Sequence, residues 1–145
     1  MFYQVQQSQY PDYLTAPMAA ELTESGFESL KTGQSVTEIL EKQEGTVLVV
    51  VNSVCGCAAR NARPAAIAAT REGKLPQRLV TVFAGVDGEA VQTARDFFLP
   101  YPPSSPSMGL FKDGKLVHFI ERHHIEGRPA VAIARDLKEA FETYC

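Results

Sequence analysis

The run Thr46 to Val51 (TVLVVV) has no polar residue after its threonine, and five of its six positions are β-branched. A strand that is apolar without alternation is one buried on both faces. The chain must therefore cover a sheet from two sides, which calls for helices above and below it. Directly after the run comes Asn52 to Pro64 (NSVCGCAARNARP), with two cysteines one glycine apart and then an alanine-rich stretch. The pair sits where a core strand ends and a helix opens.

The rest of the chain fits that frame. Pro11 to Leu22 reads as a helix with Leu14, Met18 and Leu22 on one side, kinked at Pro17. Ser35 to Gln43 reads as a second helix, with Ser35 and Glu38 as a capping box and Val36, Ile39 and Leu40 inward. Gly45 ends it. Ala58 to Glu72 is a helix whose Ala58, Ala62, Ala65 and Ala69 let it lie close to the sheet, and Gly73 stops it. Leu79 to Ala84 is a strand, and Gly88 to Leu99 a helix with Val91, Ala94, Phe97 and Phe98 inward. The stretch LPYPPSSPS is loop. Met108 to Lys112 and Leu116 to Ile120 form a hairpin over Asp113-Gly114. Pro129 to Tyr144 is a last helix with Val131, Ile133, Ala134, Leu137 and Phe141 apolar. Strand, helix and strand followed by a hairpin and a helix is the layout of an α/β, thioredoxin-like domain, with a central mixed β-sheet flanked by helices.

Length and composition narrow the function. A chain of 145 residues is enough for one domain that buries roughly 70% of its unfolded surface and needs no disulfide staples. The expected organisation is one domain over 1–145, its helical segment 1–45 packed on a core of 46–145. A net charge of −3 offers nucleic acid no basic field. Val47 to Val51 is too short to span a membrane, and MFYQVQQSQYPDY lacks the features of a signal peptide. The expected location is the cytoplasm. Three cysteines make no disulfide framework there, so Cys55 and Cys57 are to be read as chemistry and Cys145 as a tail thiol.

At a helix start, free amides and the dipole favour an anion, here the thiolate of Cys55. Gly56 lets the chain turn and leaves the sulfur uncovered. Cys57, deeper in the helix, is expected to be less exposed, so that Cys55 attacks and Cys57 resolves. A single intervening residue closes a small ring of difficult geometry, and a strained disulfide is more oxidising. The pair is therefore expected to favour the dithiol, mixed-disulfide or isomerase chemistry over reductase work. Arg60 and Arg63 share a helix side, as docking groups for a carboxylate-bearing substrate or as solvated cations. Ser105-Pro106 precedes the third strand. A cis bond there would present the Ser105 backbone to an extended substrate beside Cys55, although local sequence favours trans, because only ~5–6% of X-Pro bonds are cis.

Pro106 and Gly114 in PSMGLFKDGKLV have the spacing of the thioredoxin cis-proline and hairpin glycine. The segments VVVNSVCGCAARNARPA, LVTVFAG, PPSSPSMGLFKDGK and VHFIERHHIEGR, in that order, resemble the bacilliredoxins. The likeness runs from PMAAELTESGFESL to the terminal YC. It implies a thiol-disulfide oxidoreductase that removes bacillithiol from S-bacillithiolated client proteins, with bacillithiol as co-substrate and no bound cofactor. On that resemblance Cys55 and Cys57 are catalytic, and Ser105 and Pro106 form the substrate-facing loop. Gly56 and Arg60 are assigned to the substrate from their place at the helix start, where the carboxylates of bacillithiol would meet a cation. Disulfide isomerase activity toward disulfide-bonded clients is the alternative.

There are departures as well. Arg60 stands where bacilliredoxins carry glycine. Val54 stands where thioredoxins usually have tryptophan before the first cysteine. Val49 stands where they keep a buried aspartate, so the acceptor of the Cys57 proton is not evident. Cys55, Cys57, His123 and His124 could be counted as a zinc quartet. His123 and His124, read as extended chain, point to opposite faces, and no metal ligand is assigned. His118 lies in a strand. A redox-silent adaptor would instead bury Cys55.

Overall fold

A computed structural model describes residues 8–42 and 44–145. Residues 1–7, the first part of the stretch MFYQVQQSQYPDY and of the segment 1–45, and Gln43, the expected end of the second helix, lie outside the described residues. The elements are α1 (Asp12–Thr23), β1 (Glu28–Ser29), α2 (Gly33–Leu40), β2 (Thr46–Asn52), α3 (Gly56–Ala69), β3 (Arg78–Phe83), α4 (Gly88–Phe97), β4 (Ser107–Lys112), β5 (Lys115–Ile120), α5 (Arg122–Ile125) and α6 (Ala130–Tyr144).

The sheet order is β1-β3-β2-β4-β5. β2 pairs parallel with β3 and antiparallel with β4, and β5 returns antiparallel beside β4. This is the mixed sheet the sequence implies, with β2 at its centre. All seven residues of β2 are buried, and they alternate between two cores. Leu48 and Val50 join Ala58, Ala62, Ala65 and Ala69 of α3, Met108 and Leu110 of β4, and Ile133, Leu137 and Phe141 of α6. Val47, Val49 and Val51 join Val36, Ile39 and Leu40 of α2 and Val91, Ala94 and Phe98 beside α4. The four alanines on α3 are each no more than 1% exposed, so α3 lies against the sheet as their spacing predicts. The turn Asp113-Gly114 takes positive φ at both residues, 52° and 81°, the geometry a two-residue hairpin of right-twisted strands requires.

The structure departs from the sequence reading at several places. α2 starts at Gly33, capped by Thr32, whose side chain accepts from Ser35 N at 3.1 Å. Ser35 is thus inside the helix rather than its cap. Phe27 ends up buried and is followed by β1, which pairs with β3 through Glu28 and Ser29. A strand of two residues carries no period to detect. On α1, Leu14 is exposed, and Thr15 and Leu22 are the buried residues. On α6, Val131 is 66% exposed and Ala140 is buried, because the inward stripe begins only at Ile133. α3 begins at Gly56 and ends at Ala69, where Thr70 Oγ1 donates back to the Ala66 carbonyl at 2.8 Å. A short helix, α5, replaces the extended chain expected around His123 and His124. No helix among the described residues is long and apolar enough to cross a membrane.

Candidate active site

The site is at the C-terminal end of β2, where the chain leaves the sheet for α3. Asn52 and Ser53 are 2% exposed and make the turn. The Asn52 side chain accepts from Ser53 N at 2.8 Å and donates to the Met18 carbonyl at 3.1 Å. Ser53 Oγ accepts from Cys55 N at 3.0 Å. Cys55 has φ −68° and ψ 84°, and Gly56 N donates to the Val54 carbonyl at 2.8 Å. Together these make an inverse γ-turn centred on Cys55. Gly56 follows with φ +48°, and a Cβ there would meet nothing within 4 Å. Glycine is therefore favoured here for the backbone angle and not for want of space.

Cys55 is the N-cap of α3, and the first helical bond runs from Ala59 N to its carbonyl at 3.1 Å. It is half-buried, whereas Cys57 is exposed. This reverses the expected order of exposure. Ala58 and Ala59 turn inward in the first turn of α3, and Cys57 is left on the outer side. There Arg60 Nη2 donates to Cys57 Sγ at 3.7 Å. A silent adaptor would need Cys55 fully enclosed, and it is not.

Arg63 is no docking group. It is 4% exposed, donates to Asn52 Oδ1 at 3.1 Å and to the Ser53 carbonyl at 2.9 Å, and pairs with Glu21 of α1 at 3.0 Å. A buried guanidinium with three acceptors is satisfied, and here it fastens the cysteine-bearing turn to α1 and α3.

The Ser105–Pro106 peptide is cis, as is Leu99–Pro100, which the sequence reading did not anticipate. Pro106 is buried and Ser105 half-buried. Val51 pairs with Ser107, so this peptide lies beyond the end of β2, next to the cysteine turn. The Ser105 carbonyl is already engaged, accepting from Arg122 Nη1 at 3.3 Å. It is not the free acceptor that the sequence reading offered to a substrate backbone.

Arg122 is the residue that sequence reasoning missed. It sits at the start of α5, donates to Glu126 Oε1 at 3.0 Å and to the Ser105 carbonyl at 3.3 Å, and lies near enough to interact with the Cys55 thiol. Glu126 first and Cys55 second raise it above its ordinary range. ERHHIEGR shows a cation in the sequence, and nothing local in it shows that the cation meets a cysteine from another element. His118 is engaged elsewhere, with Asp136 of α6 at 3.0 Å. Partial desolvation at the end of α6 raises the Cys145 thiol, opposed by the Thr46 hydroxyl and by Lys112 and Lys74.

The zinc quartet counted from the sequence does not assemble. The metal-capable group among the described residues is Glu121, His123 and His124, with neither cysteine in it. What the cysteine turn can do chemically is thiol exchange. A half-exposed sulfur at a helix mouth has a cation beside it, and a second sulfur lies two residues on.

Known proteins resemble the chain at two levels. A family model described as disulphide isomerase matches residues 10–145. A bacilliredoxin of Cytophaga hutchinsonii is 56% identical over 133 residues, covering 92% of this chain and 98% of its own length. A bacilliredoxin of Halalkalibacterium halodurans is 51% identical over 139 residues, covering 94% and 96%. Among solved structures, thioredoxin O2 of Arabidopsis thaliana in its oxidized state superposes with a TM-score of 0.54 at 16% identity, over 81% of this chain and 96% of that one. That distant likeness shows the thioredoxin fold.

Proposed function

The chain belongs to the bacilliredoxin family and is a thiol-disulfide oxidoreductase, and from that premise we propose that it removes bacillithiol from proteins that carry it as a mixed disulfide. The observation that carries this reading is the position of Cys55. It caps α3 at the end of β2 where the cis Ser105–Pro106 loop begins β4, and it interacts with Arg122, which is held at that loop by the Ser105 carbonyl.

In the first step the Cys55 thiolate attacks the bacillithiol sulfur of the mixed disulfide. A Cys55–bacillithiol disulfide forms, and the client leaves as its thiolate. In the second, the Cys57 thiolate attacks Cys55, releases bacillithiol as its thiolate, and leaves a Cys55–Cys57 disulfide. A second bacillithiol thiolate can instead attack the bacillithiol sulfur of that adduct. It releases Cys55 as thiolate and leaves oxidised bacillithiol. Electrons balance in each exchange, so no bound cofactor is invoked. The carboxylates of bacillithiol find cations in Arg60, beside Cys57, and in Arg122, beside Cys55. The client supplies the extended backbone that meets the Ser105–Pro106 loop. A reducing cytoplasm, in which such adducts form on exposed thiols, is the compartment that suits this cycle.

Disulfide isomerisation is a second reading, favoured by the description of the matching family model. It uses the same attack by Cys55 on a client disulfide, with a client thiol in place of bacillithiol as the group that clears it.

Intact-mass spectrometry of Cys57→Ala, mixed with an S-bacillithiolated protein, tests the first step. The expected result is a gain of one bacillithiol on Cys55 with release of the client thiol, and no gain in Cys55→Ala. If Cys55→Ala still strips the client, the assignment of the nucleophile is wrong. If Cys57→Ala gains nothing while Cys55 remains open to alkylation, bacillithiol is not the substrate and isomerisation becomes the reading.

A further inference from the structure

Three side chains with metal-binding atoms converge on the flank of the dithiol site. Glu121 precedes α5, and His123 and His124 lie within it. Each offers one donor atom, and these atoms lie within 4.8 Å of one another. The two imidazole rings have centroids 4.0 Å apart at 54°. His123 Nε2 is 3.8 Å from Glu121 Oε2. An extended chain would send neighbouring side chains to opposite faces. The turn of α5 is what gathers these two histidines beside the glutamate.

Two imidazole nitrogens and one carboxylate oxygen form a donor set that late first-row divalent ions accept. Three protein ligands with a remaining open position is also the pattern of a non-structural zinc site. Zinc bonds of ~2.0–2.2 Å in a tetrahedron place donor atoms ~3.3–3.6 Å apart. The present spacing closes to that by rotation of the exposed His123 and His124 side chains toward the Glu121 carboxylate, which is 15% exposed and stays in place. The same atoms hold a local cap. Glu121 accepts from the His124 backbone, and His124 Nδ1 accepts from Glu121 N at 3.3 Å. The lone pair that now receives that N–H is one an ion can take.

We propose that Glu121, His123 and His124 form a binding site for one divalent ion of the zinc class, next to the thiol-exchange centre but independent of its sulfurs. The site adjoins that centre through Arg122, which stands between the ligands in the chain and reaches the Ser105 carbonyl.

The test titrates cobalt(II) alone into the full chain carrying Cys55→Ser, Cys57→Ser and Cys145→Ser, so that no thiol can bind it. The expected result is saturable uptake of one equivalent, with ligand-field absorption and no sulfur-to-cobalt charge-transfer band. Adding His123→Ala or His124→Ala is expected to weaken binding at least about tenfold, whereas His118→Ala leaves it unchanged. Circular dichroism of each variant confirms that the fold persists. The proposal is overturned if cobalt at millimolar concentration gives no saturable uptake, or if uptake is indifferent to both His123→Ala and His124→Ala.

Discussion

Two arginines near the cysteines have opposite fates, and the difference lies in which side of α3 each occupies. Arg60 faces out beside Cys57. Arg63 faces in and satisfies the turn that carries Cys55. Removing Arg63 leaves the buried Ser53 carbonyl without that donor, while Glu21 is partly exposed and water can take over its share. Arg63→Met is therefore expected to lower stability by ~2–3 kcal/mol in a urea titration, and Arg60→Ala to stay within ~0.5 kcal/mol. Equal effects from the two would refute this division. Arg122 is expected to act on the reaction rather than on the fold. Its pairing with Glu126 is largely solvent-exposed, so its electrostatic worth at Cys55 is at most ~1 kcal/mol, or about fivefold in rate. Arg122→Gln is expected to slow both de-thiolation and alkylation of Cys55 by up to about that factor, with thermal stability unchanged. No change in the alkylation rate would remove Arg122 from the site. Arg60 and Arg63 were visible in the sequence as a pair on one helix. Their separation into a surface and a buried residue was not, because it depends on where α1 packs.

At the level of elements, the alanines of α3 and the Leu48 and Val50 face of β2 are two halves of one device. β2 presents Leu48 and Val50 on that side, and Ala58, Ala62, Ala65 and Ala69 let the helix approach them. This closeness sets the height at which Cys55 leaves the sheet. Ala65→Leu would insert three heavy atoms into a contact that has no spare room, at a cost of ~1–3 kcal/mol. The expected readout is a lower urea midpoint together with slower de-thiolation, since lifting α3 also lifts its cap. A midpoint at or above that of the unchanged protein would mean that the interface is loosely packed. β2, α3, β3 and the hairpin were legible because each carries a strong period or turn signal. β1 and α5 were not, because two and four residues are too short for a period to repeat. Their structure is imposed by pairing with β3 and by the mutual cap of Glu121 and His124.

On the scale of the whole molecule, the site depends on a core it does not touch. Phe141, near the end of α6, packs into the same cluster as Leu48, Val50 and Met108. Phe141→Ala is expected to lower unfolding free energy by ~3–5 kcal/mol, a large share of the ~5–15 kcal/mol typical of a domain. De-thiolation measured well below the melting temperature should be unaffected, since Phe141 makes no part of the cysteine turn. Loss of activity in the still-folded variant would show that α6 positions the site directly. The sequence by itself determined the two-sided sheet, the place of Cys55 at the mouth of α3, and the residue types that make thiol exchange possible. These follow from local periodicity, glycine placement and cysteine spacing, each of which is written within a dozen residues. Only the tertiary structure decided that Cys57 is the more exposed sulfur, that Arg63 is buried, and that the Ser105 carbonyl is held by Arg122. It alone brings Arg122 to Cys55 and His123 and His124 to one side. Each of those outcomes depends on the packing of elements distant in the chain or on the turn they force between them, and short-range pattern does not encode that.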